Sequence, residues 1–400
     1  MSLEDDLAKR KWPEPPFEIR PPTTGKPSER EEMLGSAISE YDRSAYVREG
    51  RIVMRHLGWK GVVKPIPPGE SAVTSLAVDP KGRVVGATSG QRSHLFIYDP
   101  EVDRVTDLCT FDEDSIAKNS VVVSKDGTVV AATRKEIGGP GSGKIVSFVT
   151  DYKETLTWGP SKPALESLDL PKKDEGIACL TYDEARNTAY GLTSITGTFF
   201  TLDIESGSHR LIGPVDELGE FSDCLVVGCD GHVYGGKRWG QLFEFDPEKG
   251  AIRQLGLSIP SFAGRQLYNK VDAIALDRSS GKMYGGGTAD GVLFLFEPAA
   301  GRVVSLGKPT SQPRTRAITV GRDGKIYGIS GRVGGVAHLF KYDPTSGDLR
   351  DLGIPLAHSD QEWRGYEFDC MVTGSSGEIY MGESDRIGHL FIYYPAIKNH

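Results

Sequence analysis

The chain has 400 residues, with 47 Lys and Arg against 55 Asp and Glu, a formal net charge of −8. That balance argues against a nucleic acid or an anionic membrane as partner, since either favours a basic face. Hydrophobic residues make up 38% and glycine contributes 49 positions, enough for a core interrupted by many turns.

The N-terminus, "MSLEDDLAKRKWPEPPFEIRPP", has no apolar core of a signal peptide, and this predicts a cytoplasmic location; an exported protein without its leader would read the same. No run of 18 apolar residues suggests a membrane span. Residues 1–30 are Pro-rich and charged and read as a loose extension, and 31–48 predict a short helix. Residues 1–49 are thus an extension and 50–400 a single domain. Cys109, Cys179, Cys224, Cys229 and Cys370 form no C-x-x-C pair, which predicts reduced, mostly packed thiols.

From residue 75 the chain repeats. Seven segments align: "SLAVDPKGRVVGATS", "SVVVSKDGTVVAATR", "CLTYDEARNTAYGLTS", "CLVVGCDGHVYGGKR", "AIALDRSSGKMYGGGT", "AITVGRDGKIYGIS" and "CMVTGSSGEIYMGES". Their first residues stand 45, 59, 45, 49, 44 and 53 positions apart. Each is two β-rich runs around a short turn, the signature of a hairpin. A third strand follows in every unit ("HLFIYDP", "KIVSFVT", "TFFTLDI", "QLFEFDP", "VLFLFEP", "HLFKYDP", "HLFIYYP") and a fourth in most ("RVTDLCTF", "HRLIGPV", "AIRQLGL", "RVVSLGK", "DLRDLGI"). Seven units of four antiparallel strands describe an all-β fold, a seven-bladed β-propeller. After the seventh third strand only "AIKNH" remains, while "GRIVMRHLG" at 50–58 matches "GRVVSLG" at 301–307. Residues 51–57 therefore predict the outer strand of blade seven, closing the ring and removing an open sheet edge.

The residues that begin the innermost strands are all small: Ser75, Ser120, Cys179, Cys224, Ala273, Ala317 and Cys370. Inner strands crowd the axis, so this column reads as packing. One position earlier stand Thr74, Asn119, Ala178, Asp223, Asp272, Arg316 and Asp369. These mark the mouth where inter-blade loops enter. They read either as loop ties or as a binding or catalytic site, with Asp223, Asp272 and Asp369 as metal candidates. A divalent metal is the one cofactor this leaves room for.

The loops between second and third strands open on the same face and carry Arg92, Arg134, Lys237, Arg238 beside Trp239, Arg332 and Arg386. This is either a solvated rim or an electropositive mouth for an anion, which arginine pairs with bidentately. "GGPGSGK" lacks the phosphate-loop spacing. The inter-blade loops "SFAGRQLYNKVD", "KPTSQPRTR" and "HSDQEWRGYEFD" add Arg265, Tyr268, Arg314, Trp363, Arg364 and Tyr366, aromatics beside arginine that suit a sugar or an aromatic acid. His94, His338 and His389 share a column at the head of the third strand. With strands about 4.8 Å apart, third strands of neighbouring blades stand roughly 14 Å from one another, too far to share an ion that needs nitrogens about 2.1 Å away. Local hydrogen bonding, a groove for an extended ligand and a metal remain the three readings.

The recurring D-G-x-[IV]-Y-G and [HQ]-L-F-x-[YF]-D-P resemble seven-bladed propeller proteins over residues 51–395. Within that class the chain resembles propeller polysaccharide lyases, such as oligogalacturonate and ulvan lyases. The resemblance implies His, Tyr and Arg acting on uronate sugars by β-elimination, in some members with a divalent metal held by His. Tyr268 or Tyr366 with His338 or His389 would then supply base and acid. Arg92, Arg238, Trp239, Arg265, Arg316, Arg332, Arg364 and Arg386 would hold the anionic substrate. The competing expectations are a non-catalytic propeller that binds a ligand or protein partner, and a metal-dependent enzyme at the axis.

Overall fold

The structure, a computed structural model, describes residues 46–57, 65–135, 143–150, 164–331, 336–357, 362–385 and 387–395. All of these fall in one compact unit, Ala45–His400. Residues 1–45, most of the expected extension and helix, lie outside the described residues.

The described residues form seven four-stranded antiparallel sheets, with three 3-10 turns and no α-helix among them. In blades one and three to six the strands run from inner to outer in chain order. Blade two follows the same plan, and its short outer strand, Glu166–Leu168, has no clear signal in the sequence. Blade seven takes its outer strand from the other end of the chain: Arg51–His56 pairs antiparallel with His389–Tyr394. Each innermost strand packs on the next, and Phe368–Thr373 of blade seven packs on Ala72–Val78 of blade one, which completes the ring.

The core is distributed as seven apolar clusters, one between each pair of neighbouring blades. This follows from two-faced sheets, each of which buries both faces against its neighbours. The Gly and Phe of the repeat explain each other. In five blades the second-strand glycine faces a third-strand phenylalanine, as with Gly328 and Phe340 or Gly86 and Phe96. A β-carbon built on Gly328 would lie 2.3 Å from the Phe340 ring. Any larger residue would force the ring out of its slot. The turn acid is equally specific: Asp323 accepts from the Tyr327 hydroxyl at 2.8 Å and from the Lys325 amide at 3.2 Å.

The small residues of the inner column do more than fit. The Ser75 hydroxyl accepts the amides of Ser120 and Val121, both at 3.0 Å, joining blades one and two. The Cys224 thiol approaches the Val271 carbonyl at 3.8 Å, and the Cys370 thiol the Val73 carbonyl at 3.6 Å, each in the next blade. All five cysteines are free. Burial pushes the Cys179 and Cys370 thiols well above the usual range, so these are packed thiols rather than reactive ones.

Candidate functional site

The column at the mouth owes its direction to a backbone irregularity. Strand register shifts across Thr74, Ala178, Asp272, Arg316 and Asp369, and in blade four between Phe221 and Leu225, around Asp223. A β-bulge leaves one residue unpaired and re-aims its side chain. Six blades repeat this device at one level, so six side chains leave the sheets there. Blade two uses another: Asn119 adopts a left-handed backbone, φ 47, which asparagine tolerates better than most residues.

The bulges open onto a cavity of about 170 Å³ on the axis, with Asn119, Asp272, Arg316 and Asp369 among its lining residues. The acids at this level are paired. Asp223 takes Arg134 at 2.9 Å. Asp272 receives two bonds from Arg314, one of them 2.7 Å from Nη2. Asp369 takes Arg316, which also donates to the Phe368 carbonyl at 3.2 Å. Asn119 Nδ2 donates to the Asp223 carbonyl at 2.8 Å, tying blade two to blade four. Two extra ribbons steady the loops around this opening. Ser115–Ile116 pairs with Arg134–Lys135, and Leu356–Ala357 with Trp363–Arg364.

Lys118, next to Asn119 on the loop the first ribbon holds, escaped the sequence reading. Burial works to raise the Asp223 carboxyl, but Arg134 and then Lys118 outweigh it and hold it below the usual range. At Asp369 burial is likewise outweighed, by Arg316 and then Lys118. One ammonium of blade two thus acts on carboxylates of blades four and seven. Lys118 forms no ion pair among the described residues, while the three acids each have an arginine. Its charge is the surplus of the mouth. The only sequence clue was its place beside Asn119, and a lysine in a polar loop carries no pattern of its own.

The predicted rim arginines among the described residues are occupied. Arg92 donates to Glu70 at 2.9 Å, Arg238 pairs with Asp216 at 3.1 Å, and Arg265 with Asp290 at 3.3 Å. Arg364 donates to the Tyr46 hydroxyl and lies 5.1 Å over its ring. Arg332 and Arg386 lie outside the described residues.

The three histidines have separate partners. His94 Nε2 meets Glu70 at 2.7 Å, and His338 Nδ1 meets Asp351 at 3.0 Å. His389 is buried against Glu383 and Trp363, its ring 4.5 Å from the indole and 4.6 Å from His56. Tyr366 sits near this group, its amide 3.4 Å from Glu383, while Tyr268 belongs to the loop between blades four and five and is 77% exposed. Tyr268 is therefore not brought together with His338 and His389. Among the described residues no cluster of three or more His, Cys, Asp or Glu is spaced to hold a metal ion.

The Glu383–His389 pair carries a pH signature. Burial pushes the Glu383 carboxyl up to about 9 and holds the His389 ring down to about 4. Both shifts favour the uncharged forms at neutral pH, joined by the bond between the Glu383 carboxyl and His389 Nδ1. An unfolded glutamate ionises near 4.5 and an unfolded histidine protonates near 6.5. Between 4.5 and 6.5 the two effects oppose each other; from 6.5 to 9 only the glutamate acts, and stability falls as pH rises. We expect the melting temperature to decline over that upper window and Glu383→Gln to flatten the decline. A wild-type profile already flat from pH 6.5 to 9 would refute this account.

No family model and no curated protein matches the chain. Solved structures do. The extracellular domain of a candidate hybrid two component system from B. thetaiotaomicron aligns with TM-score 0.59 at 12% identity, covering 88% of this chain; the chain spans only 40% of that structure's length. A catalytically inactive virginiamycin B lyase from Staphylococcus aureus with quinupristin aligns with TM-score 0.60 at 12% identity, covering 86% of this chain and 100% of the other. A chain of the mitotic checkpoint complex aligns with TM-score 0.58 at 13% identity, covering 95% and 98%. At such identities the likeness shows the fold alone. The protein is a seven-bladed β-propeller, an architecture that supports a ligand- or protein-binding module.

Proposed function

We propose that this propeller binds an anionic, carboxylate-bearing small molecule or saccharide at its axial mouth. The observation that carries the reading is Lys118, a cation without an ion pair among the described residues, whose charge acts on Asp223 and Asp369 at a mouth where Arg134, Arg314 and Arg316 already neutralise the acids. A carboxylate entering there meets the Lys118 ammonium, unpaired among the described residues, and three guanidinia whose remaining N–H groups can share it. Paired acids also argue against a cation as the ligand. The reading is a binding one: of the two sequence-based base candidates, Tyr268 stands apart from His338 and His389, and Tyr366 lies beside a His389 that is buried and already bonded to Glu383.

The test is titration calorimetry with digalacturonate and citrate as anionic probes and galactose as the neutral control. The anions bind and galactose does not. Lys118→Ala weakens binding about tenfold or more, the scale of one charged hydrogen bond at about 1.5–3 kcal/mol. Unchanged affinity in the variant, or no anion binding in the wild type, overturns the proposal. Release of an unsaturated product from digalacturonate, followed by absorbance, would replace it with the lyase reading.

A further inference from the structure

Beside the mouth the same face carries an apolar arc that the proposed anion site does not use. Ile195, Leu218, Trp239, Phe262, Leu267 and Tyr268 are between 44% and 77% exposed. Large apolar residues scattered singly need no explanation, but contiguous ones mark interaction sites. These are contiguous. The loop of Leu218 lies against that of Ile195, where a β-carbon on Gly219 would come within 3.4 Å of the Ile195 carbonyl. Arg238, next to Trp239, donates its amide to Glu220 at 3.2 Å and pairs with Asp216 at 3.1 Å. The turn of Trp239 packs in turn on that of Tyr268, and the Ile259 amide donates to the Gly240 carbonyl at 2.9 Å.

The arc is held in place from below. Asp290, fully buried, accepts from the Ser261 hydroxyl and, at 2.8 Å, from the Phe262 amide. Asn269, also buried, donates to the Pro260 carbonyl at 3.1 Å and accepts from the Ala289 amide at 3.1 Å. These bonds fix both ends of the loop that presents Phe262, Leu267 and Tyr268. Trp239 is kept in a left-handed backbone, φ 58, a conformation that costs a bulky residue about 1–3 kcal/mol and clusters at functional sites. Its indole stays exposed while Arg238 lies 5.0 Å over it. A preformed surface rich in Trp, Tyr and Arg suits a protein partner, because little ordering cost remains to be met on binding.

Charge selects the partner. In the two ion pairs beneath the arc the acids face inward and the cations outward. Asp290 is 0% exposed and Arg265 54%; Asp216 is 2% exposed and Arg238 21%. Lys308 stands exposed, 6.0 Å from the Phe262 ring, and neither it nor Lys237 forms an ion pair among the described residues. Glu217 and Glu220 are the exposed carboxylates of the arc, and Lys270 pairs with Glu220 at 3.3 Å. On a chain of net charge −8 this face presents positive charge around apolar side chains. We propose that the arc docks an acidic segment of a partner protein, with apolar side chains set among Asp or Glu residues.

A displayed library of random twelve-residue peptides, selected on the full chain, tests this. Enriched peptides should combine Asp or Glu with aromatic or aliphatic residues. In fluorescence polarisation an enriched peptide should lose at least tenfold in affinity on Trp239→Ser with Tyr268→Ser, and again on Lys237→Glu with Lys308→Glu. Both double variants alter exposed or half-exposed side chains and should melt as the wild type does. Binding should also weaken with added salt. Enrichment of basic peptides, absence of any consensus, or affinity indifferent to both double variants overturns the proposal. So does sedimentation showing a dimer of this chain that the Trp239 and Tyr268 substitutions dissolve, because the arc would then be a contact between copies.

Discussion

Met54→Asp is expected to abolish the cooperative fold, and Met54→Ala to cost about 2–5 kcal/mol. Met54 lies on the strand Arg51–His56 and is 3% exposed in the cluster between blades six and seven, with Tyr327, Phe391 and Tyr393 among its neighbours. Alanine leaves a cavity, and aspartate buries a charge that has no partner there. The position matters beyond its own contacts. The closing strand is hydrogen-bonded into its sheet on one side only, to His389–Tyr394, so weakening it exposes the edge of blade seven and loosens the whole ring. The comparison is Val53→Asp on the same strand, whose side chain points to the other face and is partly buried against the blade seven–one cluster; it should destabilise less. Urea unfolding checks this. A Met54→Asp protein that melts within a few degrees of wild type would show that the ring stands without its closing strand.

Asp79→Ala should be the most damaging single change on the opposite face, at about 3–5 kcal/mol, the cost of stripping one partner from a buried ion pair. Asp79 and Arg83 are 4% and 7% exposed. Arg83 Nη2 lies 2.7 Å from Asp79 Oδ2, and the same guanidinium donates to the Thr150 carbonyl of blade two at 2.5 Å. Asp79 also accepts the Lys81 and Arg83 amides at 2.9 and 2.8 Å, closing its own turn. Removing the acid takes the carboxylate from a buried guanidinium and opens the turn together. Arg83→Met should cost less, because the carboxylate keeps both amides while the methionine fills much of the space. Thermal melts of the two variants decide the order; Arg83→Met the more damaging would mean that the bond to Thr150, rather than the ion pair, holds the blades.

Seven blades, their strand order and the closing strand were legible because a propeller repeats one supersecondary unit. Period-two alternation, turn glycines and the Leu-Phe-x-Tyr run each recur, so every weak signal is read several times. The unpaired "GRIVMRHLG" pointed to ring closure by simple subtraction. The mouth column was legible as well, since alignment put Asp223, Asp272, Arg316 and Asp369 at one level. Its consequence was not. A β-bulge has no residue signature in these blades, where the bulged position holds Thr, Ala, Asp or Arg.

The sequence by itself therefore determined what is periodic and local: the strands, the turns, the strand that closes the ring and the crowding at the axis. Only the tertiary structure decided which charges remain unspent. Arg134 finds Asp223 across 89 positions and Arg316 finds Asp369 across 53, and spacing along a chain carries no information about such meetings. Among the described residues the rim arginines that looked free are taken, and Lys118, with no pattern to mark it, is left without an ion pair.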